Sequence, residues 1–227
     1  MGYLKDLDIF FKLIDWKKLK VLDVGCGNGD LSIALSKKEA NVFALESDIV
    51  QAKKNSKYLY EKKLNFICGS AAYLPLANDQ FDSVIFSKSL HHIPSDFMEQ
   101  SLMDTMRVLK KQRSSFLFVL EPDISGSFYE LLKPFHDETH QRILAQENLE
   151  KISKNFNKSE DFSFTTKYSF TNFNAFSSKM LKSTFNTIKK EDIDSSKVKS
   201  LFFGGKIDEH NYLFENKMLV KILSDMK

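Results

Sequence analysis

The sequence has too few cysteines for a disulfide-stabilised secreted domain. Only two, Cys26 and Cys68, occur in 227 residues, whereas such domains carry several pairs. No apolar run approaches the ~18 residues that cross a bilayer. The first twenty residues lack a signal-peptide core, and their apolar residues recur at helical spacing instead. We therefore expect a reduced, cytoplasmic protein with no membrane span.

The sequence also lacks an excess of charge of either sign. Its 33 basic and 30 acidic residues leave a formal charge of +3, which gives no reason to expect nucleic acid or a membrane surface as a partner. Its 42% of hydrophobic residues is an ordinary globular content,. We expect a small-molecule partner and no nucleic acid, and both a monomer and a homodimer fit the sequence.

Between residues 20 and 120, short apolar runs alternate with segments of helical spacing. The runs predict strands at 20–24, 41–45, 64–68, 82–86 and 116–120, and the segments predict helices at 31–38, 49–63 and 95–109, the last with Ser95 as N-cap,. This alternation is typical of a parallel sheet with right-handed crossovers.

The composition changes after Pro122. Fourteen of the 21 phenylalanines lie beyond residue 113, and residues 123–170 look helical or irregular, with no clear strand. We expect late strands within 189–203 and 212–223, although the second segment also fits a helix. The predicted organisation is a ligand-binding core with an N-terminal helix over 1–122, an inserted helical cap over 123–180, and completion of the sheet by 181–227.

A glycine-rich turn follows the first predicted strand. Gly25, Gly27 and Gly29 occupy alternate positions, which lets the backbone turn sharply and approach a ligand closely. The helix that follows offers unpaired N–H groups to an anionic group. In an open parallel sheet, ligands bind at this carboxyl edge of the strands.

Two carboxylates distinguish this turn from a dinucleotide site. The glycines are spaced G-x-G-x-G, not G-x-G-x-x-G, and Asp23 would lie beside a pyrophosphate, where its charge is unfavourable. Asp23 suits the ammonium of an amino-acid-like ligand, and Glu46, at the end of the second strand, can accept both hydroxyls of a ribose. S-adenosylmethionine (SAM) carries both groups. A nicotinamide-dependent oxidoreductase is the less favoured alternative.

Several motifs resemble those of class I SAM-dependent methyltransferases, in particular the methyltransferase type 11 group related to quinone- and biotin-pathway enzymes. The motifs lie at 21–29, 69–85, 87–93 and 107–111, with a strand ending in Glu121-Pro122. They follow the family order over residues 20–122. The resemblance implies an α/β, Rossmann-like, doubly wound fold, with a mostly parallel seven-stranded sheet, helices on both faces and a helical cap after strand five. It implies methyl transfer from SAM to a small-molecule acceptor, with S-adenosylhomocysteine (SAH) as product.

The resemblance also implies roles for individual residues in binding SAM. The residues expected at the amino-acid arm are Asp23, Gly25, Cys26 and Gly27, with Glu46 at the ribose, Ser70 and Ala71 at the adenine, and Ser87 near the sulfonium. Ser70 departs from the family, which usually has an aspartate at this position.

Candidate catalytic residues follow the fourth and fifth strands. Methyl transfer mainly requires the nucleophile to be held at about 3–3.5 Å, and an alcohol or amine can also need a base. His91 is a candidate base and Glu121 a candidate for binding the acceptor; the alternative for His91 is packing or turn capping. His136 and His140 are four residues apart, so we expect them on one face of a helix. We nevertheless expect no metal, because Asp137 stands at the general-base position and no third ligand lies nearby in the sequence.

The acceptor itself is not identified by the sequence. The phenylalanine-rich second half fits the lining of an apolar or aromatic acceptor pocket and fits an ordinary core equally well. No N-P-P-Y-type motif follows strand four, which argues against methylation of base amines or glutamine amides. A non-catalytic SAM- or nucleoside-binding partner subunit is the alternative function.

Overall fold

A computed structural model describes residues 5–55, 57, 63–182, 188–208 and 210–227. The strands are β1 (Lys20–Val24), β2 (Asn41–Glu46), β3 (Leu64–Cys68), β4 (Ser83–Ser87), β5 (Phe116–Pro122), β6 (Phe156–Phe170), β7 (Lys206–Asp208) and β8 (Asn211–Met226). The helices are α1 (Asp6–Leu13), α2 (Asp30–Lys37), α3 (Ile49–Asn55), α4 (Ser95–Val108), α5 (Ser127–Leu132), α6 (Thr139–Ser153), α7 (Phe173–Leu181), α8 (Lys190–Ile193) and α9 (Ser196–Phe203).

The strands form one sheet with the order β3-β2-β1-β4-β5-β8-β6, and β7 pairs with β8. The pairs β1–β2, β2–β3, β1–β4 and β4–β5 are parallel, with Asp23 opposite Ala44 and Ile85. The chain changes direction across the sheet at β1, because β2 lies on one side of it and β4 on the other. The predicted α/β class and mostly parallel sheet are confirmed, and β7 makes the sheet eight-stranded.

The chain divides into two units. The larger comprises Lys5–Glu121, Gln141–Ser163 and Leu219–Lys227; the smaller includes Pro122–His140 and Phe164–Met218. β6 and β8 each contribute residues to both units. The predicted three-part division at residues 122 and 180 remains a prediction.

Alternating residues of β5 build the core of the larger unit on both faces of the sheet. Phe118 stacks on Phe10 of α1, with ring centroids 4.6 Å apart. Leu117 and Val119 belong instead to a buried cluster with residues of α4 and α6. Burying one such side chain stabilises the fold by roughly 1.5–3 kcal/mol. Coverage on both faces explains why this strand is continuously apolar.

The smaller unit has a core of aromatic rings. Its buried phenylalanines are Phe128, Phe170, Phe173, Phe176, Phe202 and Phe214. Phe202 lies 5.5 Å from both Phe176 and Phe214, measured between ring centroids. Many of the late phenylalanines therefore act as the ordinary core of this unit.

The sequence-based predictions were wrong at several late elements. Residues 156–170, expected to lack a strand, form β6. Residues 157–163 of this strand are all exposed, so its first half shows no alternation of apolar and polar residues. Residues 189–203, expected to contribute a strand, form α8 and α9, and the Ser195 hydroxyl caps α9 by accepting from the Val198 N–H. The ambiguous segment 212–223 lies in β8.

The predicted helices of the larger unit agree more closely with the structure. α4 begins at Ser95, so Pro94, not Ser95, is its N-cap residue. For the predicted helix at 49–63, α3 accounts for 49–55, whereas residues 56 and 58–62 lie outside the described residues. No helix in the described part of the chain is both long and apolar enough to span a bilayer.

Candidate functional site

The turn between β1 and α2 depends on glycine at each of its three glycine positions. Gly25, Gly27 and Gly29 have φ values of +71°, +55° and +82°, where side chains with a Cβ are strained. A Cβ on Gly25 would lie 2.7 Å from the Ser89 Cβ, and one on Gly29 would lie 2.9 Å from the Phe66 ring. A Cβ on Gly27 would meet nothing within 4 Å. The turn is thus packed tightly at its two ends and open in its middle, where a ligand can approach the backbone.

The Gly27 peptide groups are held by polar side chains on both sides. The Gly27 N–H donates to Glu46 Oε2 at 2.8 Å, and the Asp48 N–H donates to Glu46 Oε1 at 2.9 Å. The Gly27 carbonyl accepts from Asn55 Nδ2 at 2.8 Å, and Gln51 Nε2 donates to Asn55 Oδ1 at 2.9 Å. Glu46 was predicted from the sequence as a ligand-binding residue, whereas the two amides, Asn55 and Gln51, were not. Their spacing of four residues on a predicted helix was the available signal.

Asp23 lies beneath the turn as a buried acid. Its side chain is 1% exposed, and its Oδ2 accepts from the Ser32 hydroxyl at 2.5 Å. Burial raises the pKa of Asp23 from 3.8 to about 6; the Ser32 hydrogen bond opposes the rise, and the charge of Glu46 adds to it. Burial and the same two carboxylates raise the pKa of the Cys26 thiol. Cys26 therefore stays a protonated thiol and a poor nucleophile.

The predicted adenine and sulfonium residues lie after β3 and at the end of β4. Ser70 is exposed, and its Oγ accepts from the Ala72 N–H at 3.1 Å. Ala71 and Ser87 are half-buried. Because β1, β2, β3 and β4 are parallel, these residues share the carboxyl edge of the sheet with the glycine turn. Their contacts with a cofactor remain predictions.

Glu121, the predicted acceptor-binding residue, is 1% exposed at the end of β5. Its Oε1 accepts from the N–H groups of Ser89 and Leu90 at 3.1 and 2.9 Å, and its Oε2 pairs with His91 Nδ1. The Ser89 hydroxyl in turn donates to the Val24 carbonyl at 2.6 Å. Glu121 therefore orders the turn after β4, and the Ser89 hydroxyl joins that turn to the end of β1. Catalytic roles for His91 and Glu121 remain predictions.

The pair His136 and His140 does not lie on one helix, contrary to our expectation. α6 begins at Thr139, so His136 precedes it. His136 Nε2 lies 2.9 Å from Glu138 Oε1. His136 ends the turn that follows α5, where its N–H donates to the Leu132 carbonyl, whereas His140 is the second residue of α6.

Part of the chain is similar in sequence to known methyltransferases. A family model described as a methyltransferase domain matches residues 21–112. The demethylmenaquinone methyltransferase of Lactobacillus johnsonii is 35% identical over 109 residues, which are 42% of this chain and 43% of that protein. The match thus spans less than half the length of that curated relative.

Solved structures extend the likeness in fold to nearly the whole chain. The YcgJ protein of Bacillus subtilis has a TM-score of 0.69 at 16% identity, covering 97% of this chain and 98% of the other. A SAM-dependent methyltransferase of Thermotoga maritima has a TM-score of 0.57 at 14% identity, covering 98% and 89%. Residues 21–112 are therefore similar to the methyltransferase-domain family, and the chain shares the fold of these two solved structures over nearly its whole length.

Proposed function

We propose that this protein transfers a methyl group from SAM to a small-molecule acceptor and releases SAH. The observation that carries the proposal is the open backbone at Gly27, with the buried carboxylates of Asp23 and Glu46 beside it. A nucleoside bearing an amino-acid arm presents the hydroxyls and the ammonium that two carboxylates would bind.

Glu46 is suited to a ribose. Each of its oxygens already accepts one backbone N–H, from Gly27 or Asp48. A carboxylate has about four acceptor positions, so capacity remains for two ribose hydroxyls. The backbone donors hold the carboxylate in place before the ligand arrives, which lowers the entropic cost of binding.

Asp23 is suited to an ammonium group. Its pKa of about 6 reflects the cost of burying a negative charge, and a nearby positive charge would lower that cost. A pyrophosphate would raise it further. Asp23 therefore favours the binding of a ligand that carries an ammonium group over the binding of a dinucleotide.

The remaining residues would position the acceptor. Bound SAM supplies a methyl group on a sulfonium, so the protein has mainly to orient the nucleophile and exclude water. We propose that Ser87 lies next to the sulfonium, and that His91, oriented by Glu121, takes the proton of a hydroxyl or amine acceptor. In this proposal Glu121 is a positioning residue, because its oxygens already bind the turn after β4.

The proposal includes a cytoplasmic location and a monomer or homodimer. Cys26 and Cys68 are both free thiols, which supports a reducing compartment. The relative from Lactobacillus johnsonii is named for demethylmenaquinone, so quinone precursors are the first acceptors to test.

The experiment is transfer of label from methyl-tritiated SAM to pools of small molecules by the purified protein. We expect label in at least one pool, and loss of that activity in Glu46→Gln. Glu160→Gln changes an exposed glutamate on β6 and is the matched control, with activity unchanged. Tight SAM binding without transfer to any pool would instead favour the non-catalytic binding subunit.

A further inference from the structure

Helix α3 places two buried amides directly behind the glycine turn. Asn55 is 0% exposed and Gln51 is 8% exposed. Burying an amide is costly unless its groups are hydrogen-bonded. Gln51 Nε2 donates to Asn55 Oδ1, which leaves Asn55 Nδ2 to donate to the Gly27 carbonyl at 2.8 Å. Gln51 therefore determines that the NH2 group of the Asn55 amide, and not its oxygen, faces the Gly27 carbonyl.

This contact determines the orientation of the peptide between Gly27 and Asn28. In a planar trans peptide, the C=O of one residue and the N–H of the next lie on opposite sides. With its C=O held by Asn55, Gly27 leaves the Asn28 N–H on the side away from α3. Within the described ranges, that N–H has no acceptor. Glycine readily allows this peptide to turn over, so Asn55, not Gly27 itself, selects the orientation.

We propose that Asn55 is a positioning residue that turns the Asn28 N–H toward the carboxylate of the cofactor's amino-acid arm. The inference rests on the proposed function, because it assigns this group to SAM and SAH. If the peptide turned over, the Gly27 carbonyl oxygen would face the carboxylate, and an attractive contact would become a repulsive one. Gln51 acts one step further back, by fixing the Asn55 amide.

Two nucleosides distinguish this role from general support of the turn. SAH carries the amino-acid arm, whereas 5′-methylthioadenosine has the same adenosine and a sulfur without that arm. We expect Asn55→Ala to weaken SAH binding by about tenfold to a hundredfold, the range for a hydrogen bond to a charged group. Binding of 5′-methylthioadenosine should change by less than about twofold, because Glu46 still holds the ribose. Isothermal titration calorimetry measures both.

A second variant tests the same contact with Asn55 in place. Gln51→Glu replaces the donor that faces Asn55 Oδ1 with an acceptor, so the Asn55 amide should turn over and present its oxygen to the Gly27 carbonyl. We expect the same selective loss of SAH. Asn148→Ala is the matched control: Asn148 is also buried and donates to a backbone carbonyl, that of Leu144, and neither nucleoside should lose affinity.

The outcomes separate this inference from the proposed function. Equal losses for SAH and 5′-methylthioadenosine in both variants, or no loss of SAH binding, would overturn the role of Asn55 while SAM binding stands. If Asn55→Ala does not fold, Gln51→Glu decides. If the wild-type protein binds neither nucleoside, the proposed function is wrong and the inference fails with it.

Discussion

Replacing Asp23 with asparagine should stabilise the ligand-free protein at neutral pH. The substitution keeps the shape and leaves an acceptor for the Ser32 hydroxyl, but it removes a buried charge. The pKa of about 6 in the folded protein exceeds the ordinary aspartate value of 3.8, so the folded state binds more protons than the unfolded state between these values. Stability contributed by Asp23 therefore falls as the pH rises through that window.

The size of the effect follows from the same pKa values. At 1.36 kcal/mol per pKa unit, the rise from 3.8 to about 6 corresponds to ~3 kcal/mol when the group is fully ionised,. Linkage then predicts that Asp23→Asn is more stable than the wild type by about 1 kcal/mol at pH 4.5 and about 3 kcal/mol at pH 7.5.

Urea unfolding of both proteins across this pH range measures the difference. Asp15→Asn, an exposed aspartate whose Oδ1 accepts from the Lys17 N–H, is the control and should show little change at any pH. A difference between Asp23→Asn and wild type that does not grow with pH, or that has the opposite sign, would refute a buried, destabilised carboxylate at this position.

Three further predictions concern the site. SAH should bind about tenfold more weakly at pH 5 than at pH 7, because Asp23 is mostly protonated at pH 5. Calorimetry on Asp23→Asn should show weak SAH binding that does not change between these pH values. Gly27→Ala should abolish nucleoside binding and lower the free energy of unfolding, measured with urea, by ~1–3 kcal/mol. Gly25→Ala should be less stable than Gly27→Ala, because its Cβ would lie 2.7 Å from the Ser89 Cβ. Glu121→Gln should lower the free energy of unfolding by about 1–3 kcal/mol, and an unchanged value would contradict its role in ordering the turn after β4.

The central strands of the site were predictable because they are covered on both faces. Such strands are largely apolar, and the predicted bounds of β1, where four of five residues are buried, agree with the structure. The bounds of β3 were also predicted correctly, although it is an edge strand. β6 lies at the edge of the sheet, where most of its residues meet water. The first half of β6 is therefore polar and gave no signal of a strand. Its second half does alternate, with Phe164, Thr166, Tyr168 and Phe170 at every second position, and this was the available signal that the prediction missed.

The candidate site shows a similar contrast. Asp23 and Glu46 could be named as candidates because a local glycine turn and a fixed spacing to the next strand indicate their chemistry. Asn55 and Glu121 could not be assigned their contacts in this way. Asn55 reaches Gly27 from 28 residues away, and Glu121 reaches Ser89 from 32 residues away. Such contacts depend on the packing of elements, which spacing along the chain does not give.

Binding of SAM at the turn Gly25–Gly29 can be measured by parallel calorimetric titrations of the protein with SAM, SAH and NAD. We expect micromolar binding of both sulfur nucleosides and no heat of binding with NAD. Binding of NAD alone, or of none of the three, would contradict this expectation and would mean that the chain keeps the methyltransferase fold without the methyltransferase function.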